Sequence, residues 1–305
     1  MKEVAPVVVF CYNRPDHLTR TLNALAKNEL AADSDLFIYC DGAKEGALPE
    51  QRAKVSSTRE VAYSASGFKS VTVVERQNNC GLAVNIVTAV TEIVNAYGRI
   101  ITLEDDIVTS KGFLRFMNDA LNMYESDEMI MHISAYMWPH RALLPSTFFY
   151  PVPYPGGGWA TWARAWKHYD DDADKLYDRW AGRWQEFDLF GGDYLSKQLI
   201  ANHNRTLKTW FIKWYAVMLD RKALTLYPGK SLTNNIGFDD QSTNCYATTK
   251  FDIEHPAEHV KVVRKKVVVN KVASREIYAF YQGRWYNKRR RTETMKRIKK
   301  LLRLW

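Results

Sequence analysis

Glu104, Asp105 and Asp106 stand side by side in RIITLEDDIVTSKGF, residues 99–113, directly behind the apolar run Ile100–Leu103. Adjacent carboxylates repel one another, and each is costly to desolvate at the edge of a core. A hard divalent cation offsets that cost. Mg²⁺ or Mn²⁺ takes carboxylate oxygens, needs only one or two from the protein, and completes its shell with diphosphate oxygens. The chemistry that fits is metal-assisted departure of a diphosphate from a nucleotide-sugar, with the ion neutralising charge on the leaving group. A solvated acidic turn capping the next helix is the competing explanation. The position of the acids behind a strand, and a further Asp41 behind another, favours the site.

Other residue patterns carry less. Trp159, Trp162 and Trp166 have helical spacing and form either a core stripe or a stacking platform, with Trp159, next to the glycines of YPGGGW, best placed to face a ligand. His132 lies within a strand pattern and His168 in a charged helix, neither with a metal-like partner. His255 and His259 are four apart but separated by Pro256. The acids of HYDDDADKLYD (168–178) follow no strand and read as a solvated helix start. There is no GxxxxGK[ST], and no GxGxxG follows the first strand.

The elements that must position these residues are regular. Val7–Tyr12 is a β-branched and aromatic run, hence a strand, and Pro15, Asp16, Leu18, Leu22 and Leu25 open and line a helix. A second strand spans 35–43 and ends in Asp41-Gly42, and a polar helix spans Gln51–Ala65. A third strand covers 70–76, and the clearest helix (78–98) carries Leu82, Ile86, Val90, Ile93, Val94 and Tyr97 on one stripe, closed by Gly98. Alternation of strand and helix predicts a Rossmann-like α/β fold with a mostly parallel sheet flanked by helices. Ligands of such sheets bind beyond the carboxyl ends of the strands. That rule puts Asn13, Arg14, Asp41 and Glu104–Asp106 along one rim. Past residue 110 a helix (112–125) and a strand (129–137) lead into an aromatic segment. The division expected is a nucleotide-sugar-binding half (1–110), an acceptor-side half of the same domain (111–275) and a basic tail (276–305).

The whole chain bounds the rest. Its 305 residues are 46% hydrophobic and 25% charged, a globular composition. Cys11, Cys40, Cys80 and Cys245 are scattered without CxxC spacing, so reduced thiols are expected rather than a zinc site. No apolar run approaches a membrane span, and the start lacks a secretory pattern. The net charge is +9, and residues 284–305 hold ten Lys/Arg against one Glu, so the remainder is neutral. In that tail Met295, Ile298, Leu302 and Trp305 share one helical face, with Lys296, Arg297, Lys299, Lys300 and Arg303 on the others. This pattern predicts a helix lying on an anionic membrane surface through residues 288–305. Nucleic acid is the lesser expectation, because the apolar stripe has no use on a phosphate backbone. The expected location is cytoplasmic, peripheral on the inner face of the cell membrane.

VVVFCYNRPDHLTRTLNAL, IYCDG, NCGLAVNIVTAV…GRIITLEDDI and HISAYM occur in this order. Together they resemble GT-A fold glycosyltransferases over roughly residues 5–245. The chain is similar to bacterial glycosyltransferase family 2-like enzymes and to N-acetylglucosaminyltransferase I. The resemblance implies that Asp106 holds the metal (Mn²⁺ or Mg²⁺) and that Glu104 and Asp105 face the donor ribose and sugar. It implies that Asp41 contacts the nucleotide base, that Arg14 reaches the nucleotide or its phosphates, and that Gly156, Gly157, Gly158 and Trp159 lie under the transferred sugar. One departure stands out. The relative with an acidic pair between two tryptophans draws its base from there, whereas TWFIKWYAV (209–217) has no carboxylate. The base is then expected in NNIGFDDQSTN (234–244), from Asp239 first and Asp240 second. The expected activity is transfer of a hexosyl or N-acetylhexosaminyl group from a nucleotide-diphosphate sugar, a UDP-sugar first, to a glycan or lipid-linked oligosaccharide acceptor. Bacterial surface polysaccharide assembly (O-antigen or capsule) would use such a step. A sugar-phosphate nucleotidyltransferase, or a non-catalytic glycan- or membrane-binding module of this fold, are the alternatives. The former is expected to carry a Gly-rich basic first loop, which CYNRPDHL lacks.

Overall fold

The computed structural model describes residues 4–239 and 248–283. The basic tail 288–305, Asp240 and Cys245 lie outside the described residues. The first half alternates as its hydrophobic pattern requires: β1 (Val7–Cys11), α1 (Pro15–Leu25), β2 (Asp35–Cys40), α2 (Pro49–Tyr63), β3 (Ser70–Glu75), α3 (Leu82–Tyr97) and β4 (Arg99–Glu104). The acidic turn then leads into β5 (Ile107–Thr109), α4 (Phe113–Met123), β6 (Ile130–Ser134), β7 (Thr147–Tyr150), β8 (Trp159–Trp162) and α5 (Ala163–Trp166). Four helices follow, α6 (Ala173–Trp180), α7 (Trp184–Phe187), α8 (Tyr194–His203) and α9 (Phe211–Asp220). Strands β9 (Leu224–Pro228) and β10 (Thr233–Asn235) and helix α10 (Lys271–Tyr281) complete the described residues.

Eight strands form one sheet in the order β3-β2-β1-β4-β8-β6-β9-β7. The first four pair in parallel, with β1 between β2 and β4. Beyond β4 the sheet is mixed: β8 runs antiparallel to both β4 and β6, β9 is parallel to β6, and β7 is antiparallel to β9. β1 explains why the sheet is buried on both faces. Val7, Val9 and Cys11 point into a core with Leu18, Leu22 and Leu25 of α1 and with Phe113, Phe116 and Met117 of α4. Val8 and Phe10 point into the other, with Ile86, Val90 and Ile93 of α3 and the aromatic second half. A period of two thus distributes one apolar run between two helical layers. Gly98 closes α3 at φ 76°, the left-handed cap its position predicted.

The aromatic segment differs from the helical spacing of its tryptophans. Trp159 and Trp162 belong to β8, and Trp166 ends the short α5 that follows. All three are core. Trp159 stacks on Trp210 at 4.9 Å between ring centroids and on His132 at 5.1 Å. The two-tryptophan stretch 209–217 becomes α9, and its buried Lys213 is ion-paired with Asp171. The HYDDDADKLYD segment is a helix start, with the Asp172 side chain accepting from the backbone N–H groups of Asp174 and Lys175.

His132 is completely buried, and Trp214 Nε1 donates to its Nδ1 at 3.3 Å. Burial holds its pKa down to about 3, below the usual 6.5. Between those values the unfolded chain binds a proton that the folded chain refuses. Stability is therefore complete above pH 6.5 and falls as pH drops toward 3. We expect His132→Gln to remove a component of about 1.4 kcal/mol per pH unit from the acid-side loss, measured by urea denaturation between pH 7 and 5.

Candidate active site

The parallel register of β1 and β4 pairs Phe10 with Glu104, so both strands end together and their next residues meet beyond the sheet. Two backbone anchors fix the acidic turn. Thr21 Oγ1, on the buried face of α1, donates to the Asp105 carbonyl at 2.7 Å, and Ile236 N donates to the Asp106 carbonyl at 2.9 Å. The carboxylates themselves are poorly satisfied. Asp105 Oδ2 receives a long 3.4 Å bond from Tyr12 N. Asp106 Oδ2 lies 3.2 Å from Arg14 Nη1, and its Oδ1 is buried with no hydrogen-bond partner. Burial, reinforced by the charges of Asp106 and Asp105, pushes Glu104 up to about 8. Burial and the Asp106 charge push Asp105 up to about 8 as well. Asp106 is also raised by burial, against the pull of Arg14 and His17.

The opposite wall comes from far along the chain. β5, which begins one residue after Asp106, pairs antiparallel with β10. That clip lays Ile236–Asp239 against the acidic turn. Gly237 lets the loop approach closely: a Cβ at that position would stand 1.8 Å from Asp106 Oδ2 and 3.0 Å from Arg14 Nη1, so both side chains would have to move. Asn235 braces the loop, accepting from Gly237 N at 2.7 Å and donating to the Gly156 carbonyl at 3.1 Å. Asp239 then reaches the site, its Oδ2 3.0 Å from Nε2 of His17, an ion-pair contact without hydrogen-bond geometry. His17 is a residue that the motif reading passed over. It lies one turn after Arg14, and that i, i+3 spacing at the start of α1 was the available signal.

The structure thus brings together Arg14, His17, Glu104, Asp105, Asp106, Gly237 and Asp239, with Asn13 partly exposed beside Arg14. Three expected donor contacts are placed differently. Asp41 is buried, and its Oδ1 accepts from Gly42 N and Cys80 N while its Oδ2 accepts from Gly81 N and Asn79 Nδ2, all at 2.9–3.0 Å. Four N–H donors fill the four lone-pair positions of a carboxylate, so Asp41 organises the 79–81 loop and has no acceptor left for a base. Trp159 is turned into the core, as described above. Gly157 and Gly158 are close-packing positions: a Cβ would meet Tyr136 Cβ at 2.2 Å and Leu103 Cδ2 at 2.9 Å respectively, and Gly158 has φ +76°.

As a metal site the cluster offers few protein ligands. Among the described residues no group of three or more His, Cys, Asp or Glu side chains is arranged to hold an ion. The buried, unpartnered Asp106 Oδ1 fits one ligand position, the remainder being left for substrate oxygens and water. A doubly charged ion there would remove the repulsion among the three acids.

No family model matches the chain. Among solved structures, it aligns with TarS of S. aureus at 17% identity over 47% of this chain and 24% of that one, TM-score 0.31. Residues 1–349 of TarS align at 12% identity over 75% and 59%, TM-score 0.39. The chain therefore spans less than two thirds of either TarS structure. It aligns with the galactosyltransferase LgtC, solved with donor and acceptor sugar analogues, at 8% identity over 70% of each chain, TM-score 0.35. It also aligns with UDP-glucose pyrophosphorylase complexed with UDP-glucose, at 10% identity over 73% and 90%, TM-score 0.35. At these values the matches carry no argument of their own, and the residues of the rim have to.

Two consequences can be measured without ligand. A raised carboxyl pKa means that stability is complete below the unfolded value and is lost as pH rises through the folded one. Glu104→Gln is expected to match the parent chain near pH 4.5 and to exceed it by about 1–3 kcal/mol above pH 8 in denaturant titrations. Gly237→Ala pushes a methyl group into Asp106 and Arg14, and is expected to cost about 1–3 kcal/mol of stability on the same measurement.

Proposed function

We propose that the chain is a metal-dependent glycosyltransferase that moves a sugar from a nucleotide-diphosphate donor, a UDP-sugar first, to a glycan acceptor with inversion. The observation that carries the reading is the under-satisfied acidic turn at the carboxyl end of β4, with Arg14 on one side and Asp239 delivered on the other. Such an anionic pocket suits a cationic partner shared with phosphate, and the motif order supports a GT-A active site. UDP-glucose pyrophosphorylase shares the level of similarity of the transferases, but no glycine-rich basic first loop accompanies it here.

In this mechanism Asp106 would hold Mn²⁺ or Mg²⁺, which when bound supplies positive charge for the departing diphosphate. Arg14 supplies further positive charge at the same place. Glu104 and Asp105 bind donor hydroxyls, and their raised pKa values favour the protonated carboxyl, which can both donate and accept. The acceptor hydroxyl attacks the anomeric carbon, forming a C–O bond. The bond from that carbon to the phosphate oxygen breaks and its electron pair leaves with the diphosphate. Asp239 takes the acceptor proton, held toward the site by its contact with His17. Asp240, outside the described residues, is the second choice for that base.

The acceptor is proposed to be lipid-linked, as surface-polysaccharide assembly requires, with the tail 288–305 on the anionic inner leaflet. No helix among the described residues is long and apolar enough to cross a membrane.

Donor turnover is the test. Manganese-dependent release of the nucleoside diphosphate from a sugar nucleotide is expected, lowered at least about 10³-fold by Asp106→Ala. Asp239→Asn is expected to lower kcat of transfer about 10²–10⁴-fold with little change in donor KM. Metal-independent turnover that survives Asp106→Ala would end this reading.

A further inference from the structure

The described residues carry a second basic and apolar surface, separate from the tail. Residues 259–275, HVKVVRKKVVVNKVASR, hold six Lys/Arg and no acid. Most of this stretch is an extended strap, and it is fixed rather than loose. Val262 is buried in the core, the Tyr124 hydroxyl donates to the Val263 carbonyl at 3.3 Å, and Val269 bridges to Phe149 of β7. Asn270 then caps α10, its side chain accepting from Val272 N and Ala273 N.

Held this way, the strap turns apolar side chains outward. Val268 is 52% exposed, and Val263, Val269, Val272 and Tyr278 are exposed beside it. Lys261, Lys266, Lys271 and Arg275 are exposed among them. The neighbouring loop adds Leu143, 98% exposed, and the same loop is tied to α10 by Arg141 N donating to Glu276 Oε2 at 3.0 Å. Beside the end of the strap, along α10, an open groove of about 620 Å³ is bounded by Tyr150, Leu189, Val269, Arg275, Glu276 and Tyr278. Acids border this surface as well: Glu276 lines the groove and accepts from Arg141 N, Asp127 pairs with Arg264, Glu29 lies against His259, and Asp119 stands beside Val262.

Single exposed valines need no explanation. Exposed aliphatic residues at a tethered strap and a protruding leucine, interleaved with six basic residues and no acid within 259–275, are a different case. Water solvates the charges but not the aliphatic groups, whereas an anionic leaflet takes both: headgroups pair with the lysines, and the interfacial region accepts the side chains. We propose that the strap 259–272, the outer side of α10 and the Leu143 loop form a docking surface for an anionic lipid bilayer. The surface consists of described residues and stands without the tail. It extends the membrane part of the proposed function, and donor turnover in solution reports on the catalytic part separately.

The test uses the full chain and co-sedimentation with phosphatidylcholine vesicles, with and without phosphatidylglycerol. Lys265→Gln/Lys266→Gln/Lys271→Gln is expected to weaken phosphatidylglycerol-dependent binding on the order of a hundredfold. Leu143→Ser/Val268→Ser/Val269→Ser is expected to weaken it about tenfold or more. In the unaltered chain, the same vesicles are expected to slow amide hydrogen exchange across 260–272, a readout independent of whether a variant folds. The proposal is overturned if exchange there is unchanged. It is equally overturned if only Lys296→Gln/Arg297→Gln/Lys299→Gln/Lys300→Gln in the tail reduces binding, or if the strap lysines hold duplex DNA and not vesicles.

Discussion

Three carboxylates in a row at the mouth of a buried strand are the constraint that the surrounding structure accommodates. Ile100, Ile101 and Leu103 are buried in the middle of the sheet, so the acids that follow inherit a desolvated position. The fold deals with the backbone and leaves the charge. The carbonyls of Asp105 and Asp106 are held by Thr21 and Ile236, which fixes the turn without neutralising it. Arg14 offsets part of the charge, while burial first and the neighbouring acids second keep the pKa values of Glu104 and Asp105 raised.

Asp41 supplies the internal control. It follows β2, on the other side of β1 from β4, is as buried as Asp105, and belongs to the same rim, yet all its acceptor positions are filled by N–H donors. A carboxylate so satisfied stabilises a loop, and one left with a buried, unpartnered oxygen, as at Asp106, stores unfavourable energy that a ligand can release. The same residue type beyond the carboxyl ends of two parallel strands therefore does two jobs. Counting lone pairs separates them where strand position alone does not.

That distinction marks what could be read from the chain. The first half was legible because its strands and helices obey clean periods, and the rule that ligands gather at strand ends located Arg14 and Glu104–Asp106. Strand position could not reveal that Asn79 and the 80–81 amides would satisfy Asp41, since those residues come from the next βα loop. Trp159 and Trp162 misled by spacing: a strand followed at once by a helical turn mimics an i, i+3, i+7 stripe. The sheet beyond β4 is mixed because its strands are joined by long excursions whose partners no local pattern fixes. Asp239 was legible as a loop acid. Gly237 was not, because its significance comes from the β5–β10 pairing, which joins residues more than a hundred positions apart; for His17 the spacing from Arg14 was a local signal, but its partner Asp239 arrives through the same pairing.

The pairing that delivers Asp239 also ties it to the other end of the molecule. Phe238, next to Asp239, stacks on Phe251 at 4.8 Å between ring centroids, and Phe251 packs edge-on against Phe280 of α10 at 5.4 Å. Tyr136 clamps the same point, its hydroxyl donating to the Phe251 carbonyl at 2.8 Å. Lys250 lies over the rings of Phe251, Phe280 and Tyr281, a cationic contact that adds to the packing. The loop bearing the proposed base thus rests on the helix that carries the basic face. Under the proposed function, with a lipid-held acceptor, the base would have to be fixed relative to the bilayer as well as to the donor. Aromatic packing between these two elements is a physical means of doing so, because packed cores resist continuous deformation.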